Sequence, residues 1–249
     1  MSNCYNPFSL EGKTVLVTGA SSGIGQATAI ECSKLGAHVV VTGRNEARLS
    51  ETCSWLVGEG HSSILADLTS DEDLERLIKE LPNIDGAVLC AGIGDKKPIK
   101  FSSKEKFHKI FDANFFSQAE LVRLLVKKKK CNEKASIAII SSIGGNYTHY
   151  LGNAMYDASK AALMAFVKSC AFEFAPRIRF NAICPGMVET PLTKADTLTE
   201  EQLKEDMNQY PMKRYGHPDE IAKTAIYLLS DASSWITGTD IVIDGGITL

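Results

Sequence analysis

The sequence predicts one doubly wound α/β domain over residues 1–249, a parallel seven-stranded sheet with helices on both faces. Short runs rich in Val and Ile alternate with helical patterns along the whole chain. Those runs are continuously apolar, as strands buried on both faces must be. A glycine-rich turn, TGASSGIG (Thr18–Gly25), joins the first strand to the first helix, at the sheet end where such folds take ligands.

The elements follow in order. Lys13–Gly19 reads as a strand, and 23–37 as a helix closed by Gly36. His38–Arg44 is the second strand and 45–56 the second helix; Ser62–Leu68 is the third strand and 71–81 a short helix. Asp85–Gly92 is the fourth strand, and one long helix is expected from Ser103 to Lys129. Ser136–Ser142, a helix over 153–175 and Ile178–Gly186 come next. Two helices, 199–210 and 218–230, precede a last strand at Thr239–Gly246. No linker, repeat or low-complexity stretch divides the chain.

With 44% apolar and 23% charged residues the composition is that of an ordinary globular domain. A net charge of -3 gives no electrostatic reason to expect nucleic acid or an anionic membrane. The seven cysteines are odd in number, scattered and without a CxxC pair, which points to free thiols in a reducing compartment and a cytoplasmic location. The first residues show no signal peptide, no run is apolar for long enough to span a membrane, and no His/Cys/Asp cluster has metal-ligand spacing.

The turn places Gly19, Gly23 and Gly25 in a GxxxGxG spacing. Glycine lets backbone approach a ligand, and the bare N–H groups of the following helix favour phosphate. Ser21 and Ser22 add hydroxyl donors, with Ile24 between the last two glycines. A tight strand-to-helix turn that binds nothing has the same spacing. The second strand ends in Gly43-Arg44 where an NAD-binding protein commonly carries a carboxylate. That favours NADP(H) over NAD(H), because Arg44 can pair with a 2′-phosphate; the alternative is a surface arginine.

The helix 153–175 is apolar nearly all round, yet carries Tyr156 and Lys160 one turn apart on one face. For a tyrosine to exchange protons near neutrality its pKa must fall by roughly three units, about 4 kcal/mol. A positive charge about 4 Å away supplies an energy of that order, so Lys160 is expected to hold down the pKa of Tyr156. Ser142, after the fifth strand, is placed to orient a carbonyl, with Pro185-Gly186 beside it after the sixth. Asn114, a mediocre helix former inside the long helix, is expected to turn its amide inward and hold a water. Each of these residues alone also fits an ordinary structural role.

Together, TGASSGIG, Asp67-Leu68, Ala91-Gly92, Asn114, Ser141-Ser142, YDASK (Tyr156–Lys160) and CPG (Cys184–Gly186) resemble the short-chain dehydrogenase/reductase family in order and spacing. The tail 214–246 resembles its 3-oxoacyl-(acyl-carrier-protein) reductase branch, which serves fatty acid biosynthesis. The resemblance implies that Tyr156 is the general acid/base. Lys160 would bind the nicotinamide ribose, Ser142 orient the substrate oxygen and Asn114 hold a relay water. It gives Asp67 to the adenine, Gly92 to the ribose, Val188 and Thr190 to the carboxamide, and adds Leu68 and Ala91 to the cofactor site. It also implies a homotetramer, consistent with the apolar helix and with Phe107, Phe111 and Phe115 on the long one.

The implied reaction is hydride transfer between NADP(H) and a ketone or secondary alcohol, with an acyl thioester as one substrate class. Sugars, polyols and steroids are alternatives, as is a nucleotide-binding relative without turnover. The chain departs from the family pattern at Cys90, where relatives carry Asn, and in an apparent insertion between Ser142 and Tyr156. The helix 71–81 is also about a turn short. Lys127–Lys130, with Arg177, reads either as a docking patch for an acyl carrier protein or as a solvated helix end. His149 is a candidate substrate contact or a plain loop residue.

Overall fold

The computed structural model describes residues 5–193 and 199–249. β1 (Thr14–Thr18), β2 (His38–Gly43), β3 (Ser62–Leu65), β4 (Ile84–Leu89), β5 (Cys131–Ile140), β6 (Ile178–Pro185) and β7 (Asp240–Ile243) form one sheet in the order β3-β2-β1-β4-β5-β6-β7. Every pairing is parallel. The strand order reverses between β1 and β4, so their carboxyl ends part and open a crevice there.

Alternation along the strands divides the apolar residues between two cores. Val15 and Val17 point to one face with Val39 and Val41, under α1 (Gly23–Lys34), α2 (Glu46–Ser54) and α8 (Pro218–Leu229). Leu16, Ile137 and Phe180 point to the other, under α3 (Asp71–Glu80), α5 (Ser117–Lys127) and α6 (Ala154–Phe174). Burying each Val, Leu or Ile contributes about 1.5–3 kcal/mol, so both layers are firmly held. Local chemistry starts the helices: the side chains of Asn45, Ser70 and Ser103 accept from backbone N–H groups in the first turns of α2, α3 and α4 (Lys104–Phe111). A capping box between Thr199 and Gln202 starts α7 (Glu200–Gln209).

Two elements differ from the sequence expectation. β5 begins at Cys131 instead of Ser136, since the polar stretch Cys131–Lys134 extends the strand although it has no apolar pattern. The long helix is two helices, α4 and α5, joined by a π-helical turn over Asp112–Phe116 that carries Asn114. Lys127–Lys130 lies just before β5, at the amino end of the sheet. Cys131 pairs with Ile84 and Ile139 with Leu89, so β5 between them spans five strand steps of ~3.3 Å, ~17 Å, with Ser142 beyond its far end. The Lys130 ammonium is spent on the Leu81 carbonyl.

Candidate active site

A cleft of about 490 Å³ opens over the carboxyl ends of β1, β2 and β4. Gly19, Ser21, Ser22, Gly23, Ile24 and Gly25 form its floor, Arg44 one end, and Asp67, Leu68, Ala91 and Gly92 its far wall. A side chain at Gly25 would put its Cβ 2.4 Å from the Gly19 carbonyl oxygen, so only glycine lets this turn close. Ser22 occupies the N-cap of α1, but its hydroxyl makes no capping bond. The helix therefore presents N–H groups and a spare hydroxyl to the cleft, a ready anion site. Thr190, Pro191 and Leu192 fold over the same space. The methyl of Thr190 lies 3.1 Å from where a Cβ on Gly23 would sit. A dinucleotide with its pyrophosphate on the turn fits this set of groups.

Seven expected residues are not in the lining of the cleft: Asn114, Ser142, Tyr156 and Lys160, which lie behind Gly92, and Pro185, Gly186 and Val188. Pro185 ends β6, its carbonyl accepting from the Ile143 N–H at 3.1 Å. The Gly186 N–H is bonded back to Ile243 at 3.0 Å. Val188 is buried and bridges to Gly216. They form the frame that delivers Thr190, because strand-end residues are consumed by the sheet before the loop leaves it.

The inner end of the cleft runs into the remaining candidates. A Cβ on Gly92 would lie 3.2 Å from Asn114 Oδ1 and 3.6 Å from Lys160 Nζ. Ser142 and Tyr156 share a hydrogen bond between their hydroxyls, and the Gly144 N–H donates to Ser142 Oγ at 3.0 Å. Its neighbour Ser141 is buried and spends its hydroxyl on the Lys160 carbonyl at 2.9 Å. Ser142, and not Ser141, thus keeps its hydroxyl beside Tyr156.

One expectation about this group changes, at Lys160. The Asn114 side chain is bonded within the chain: Oδ1 accepts from the Ile93 N–H at 2.8 Å, while Nδ2 donates to the Ile93 carbonyl and Ser159 Oγ, each at 3.0 Å. The amide pins the backbone after β4 to α6. Lys160 does not hold down the pKa of Tyr156 in the chain by itself. Its ammonium donates to the Ile140 carbonyl at 2.9 Å and lies 5.7 Å from the centre of the Tyr156 ring. Burial dominates both groups. It pushes Tyr156 up to about 12, with the Ser142 hydrogen bond acting against it and Asp157 adding to it. It pulls Lys160 down to about 8.

Sequence reasoning missed Arg48 and Asp157. Arg48 lines the cleft beside Arg44 from the first turn of α2; the one cue was its place a turn after the Asn45 cap. Asp157, next to Tyr156, is buried. Its Oδ1 has no hydrogen-bond partner among the described residues. Burial raises its pKa, with Tyr150, His149 and Asn153, all on the loop between Ser142 and Tyr156, acting against the rise. At Cys90 the hydroxyl of Thr18 accepts from the backbone N–H groups of both Cys90 and Ala91, at 3.0 and 3.3 Å. The β1–β4 junction thus stays tied without the family's asparagine. Burial pushes the Cys90 thiol up to about 12, so it is inert as a nucleophile.

Fold and site together define a dinucleotide-dependent oxidoreductase of the doubly wound α/β class. The family described as enoyl-(acyl carrier protein) reductase matches residues 19–248, and the chain belongs to the short-chain dehydrogenase/reductase family. It is 37% identical over 242 residues to the 3-oxoacyl-(acyl-carrier-protein) reductase FabG of Rickettsia felis, covering 96% of this chain and 98% of that one. It is 35% identical to the glucose 1-dehydrogenase of Gluconobacter oxydans, over 96% and 92% of the two chains. Among solved structures it resembles the Pseudomonas aeruginosa RhlG/NADP active-site complex with a TM-score of 0.91, 30% identity and coverage of 99% and 100%. Among the described residues, no helix is long and apolar enough to cross a membrane.

Proposed function

We propose that the protein is an NADPH-dependent reductase of 3-oxoacyl thioesters, with Tyr156 donating the proton that completes the alcohol. The observation that carries this reading is the hydroxyl pair Ser142–Tyr156, joined through Lys160 to Gly92 on the wall of the glycine-floored cleft. The bound nucleotide supplies the hydride. Ser142 orients the ketone oxygen, and Tyr156, protonated at neutral pH, donates to that oxygen as negative charge develops on it. Lys160, close to Gly92 on the ribose wall, binds the nucleotide and carries a proton whose affinity is matched to neutral pH. The resemblance to the 3-oxoacyl-(acyl-carrier-protein) reductase of Rickettsia felis supports the thioester class. The glucose 1-dehydrogenase relative supports a sugar alcohol as second reading.

Arg44 and Arg48, both exposed at the adenosine end and facing no carboxylate from β2, favour the 2′-phosphate. A charge-assisted hydrogen bond contributes about 1.5–3 kcal/mol. Arg44→Ala and Arg48→Ala are each expected to raise the KM for NADPH by roughly tenfold to a hundredfold and leave that for NADH unchanged. An NADH preference in the unaltered chain would overturn the assignment. The first assay is nucleotide oxidation followed by absorbance, NADPH and NADH in parallel, with a short 3-oxoacyl thioester and a sugar ketone. Selective NADPH consumption with the thioester is the expected result. Consumption with the sugar alone would replace the thioester reading.

The exposed Phe116 and Phe172 on the α4–α6 side support a homotetramer. The thiols of Cys32, Cys53, Cys90, Cys131, Cys170 and Cys184 are all free, which supports a cytoplasmic place. An acyl carrier protein is the partner that a carrier-borne thioester would bring.

A further inference from the structure

A carboxylate stands behind the Ser142–Tyr156 hydroxyls. Asp157 is only 6% exposed, and its Oδ1 has no hydrogen-bond partner among the described residues. It is the acidic residue of the first turn of α6, where the helix dipole favours negative charge. A carboxylate that only answered the dipole would do so at the surface, where ionisation costs little. Burying one without a full set of partners is costly, so the position calls for a use.

Two glycines bring the group against the reactive hydroxyls. A Cβ on Gly144 would collide with Asp157 Oδ1 and stand 3.4 Å from Ser142 Oγ. One on Gly145 would stand 2.5 Å from the Asp157 carbonyl oxygen and 3.0 Å from Ala161 Cβ. The backbone after Ser142 therefore lies flat on the first two turns of α6, with the carboxylate against it. The Gly144 N–H in turn donates to Ser142 Oγ at 3.0 Å, and Ser142 is bonded to Tyr156. One side of the hydroxyl pair thus faces a buried anion through a single peptide.

The other titratable groups around Asp157 do not cancel that charge at Tyr156. His149 and Tyr150 face it from the loop, but both are exposed, so water screens them. Lys96, after β4, lines the same outer cavity as Asp157. On α6 itself, Lys160 turns to the Ile140 carbonyl. A nearby anion disfavours phenolate, and Asp157 adds to the rise in the Tyr156 pKa. Such a charge would hinder a tyrosine that must start as a base. It suits one that must start as an acid.

We propose that Asp157 is a positioning residue for the proton: its buried charge keeps Tyr156 in the protonated, donating form to higher pH than Lys160 and the nucleotide alone would allow. The inference rests on Tyr156 as the acid of ketone reduction and deepens that reading.

The test titrates Tyr156 in the full chain with NADP⁺ bound. The ultraviolet tyrosinate band is followed against pH, and the trace of the matching Tyr156→Phe variant is subtracted. Asp157→Asn is expected to lower the midpoint by about one unit, a tenfold change in the tyrosinate equilibrium. The alkaline fall of kcat/KM for reduction should move down by the same amount. Both are read on the alkaline side, where Asp157 is ionised although burial lifts its pKa. Asp157→Ala, neutral but of different shape, should give the same shift. Raised salt should leave the shift in place, because a buried charge is poorly screened. An unmoved or raised midpoint, unequal shifts in the two variants, or a shift lost in salt would overturn the proposal. Retained nucleotide binding shows that each variant is folded. Turnover that persists in Tyr156→Phe would remove the acid assignment, while a shifted midpoint would still uphold the coupling to Asp157. Turnover lost in Tyr156→Phe beside an unmoved midpoint would remove Asp157 alone.

Discussion

Tyr156→Phe is expected to lower kcat/KM for ketone reduction by about 10³-fold or more while the Kd for the nucleotide stays within about twofold. The side chain keeps its packing and loses only the hydroxyl that Ser142 holds at the inner end of the cleft. Nothing on the turn from Gly19 to Gly25 or at Arg44 and Arg48 is touched. Single-turnover absorbance with saturating nucleotide isolates the chemical step. Persistence of that step in the variant would remove Tyr156 from the reaction and leave proton delivery to a water or to Lys160.

The second large effect has opposite signs in function and stability. Lys160→Met is expected to abolish most turnover and to raise the melting temperature. The ammonium is buried, with its pKa pulled from 10.5 down to about 8. Because the unfolded chain holds the proton more tightly, stability rises with pH between the two values. The penalty is complete below pH 8, at about 3 kcal/mol from 1.36 per unit, and vanishes above the unfolded value. Loss of the donor to the Ile140 carbonyl returns about 1 kcal/mol of this. A net gain of about 2 kcal/mol corresponds to a rise of roughly 4–8 °C at pH 7, shrinking towards pH 10. A melting temperature that falls at pH 7 would mean that the ammonium is stabilising where it lies.

Both effects depend on how much the sequence could tell. The continuous apolar strands located the sheet to within a residue or two at most ends, because burial on both faces leaves a dense signal. It failed at Cys131–Lys134, where Cys131 pairs with Ile84 and the polar residues after it bulge out of register before the ladder resumes at Ser136. The interruption at Asn114 was legible as an oddity of residue type. What it bonds depended on Ile93 and Ser159, brought there by other elements. Helical spacing placed Tyr156 and Lys160 on one face, but the direction of the ammonium was decided by a carbonyl at the end of β5. Arg48 carried only the cue of its place a turn after the Asn45 cap. Only the packing of α2 beside the β1–α1 turn gives it a place in the cleft.

The order of the strands has a consequence for how the protein is made. The phosphate turn at Gly19–Gly25 leaves the ribosome early, yet Thr190, which closes over it, follows some 165 residues later. β4, the other bank of the crevice, reaches its place beside β1 only after β2 and β3 have been laid down on the opposite side. A nascent chain arrested between β5 and β6 therefore has a floor for the nucleotide and no roof. Nucleotide present during synthesis can reward only the finished sheet, and so acts as a late check on completeness and not as a template for early folding.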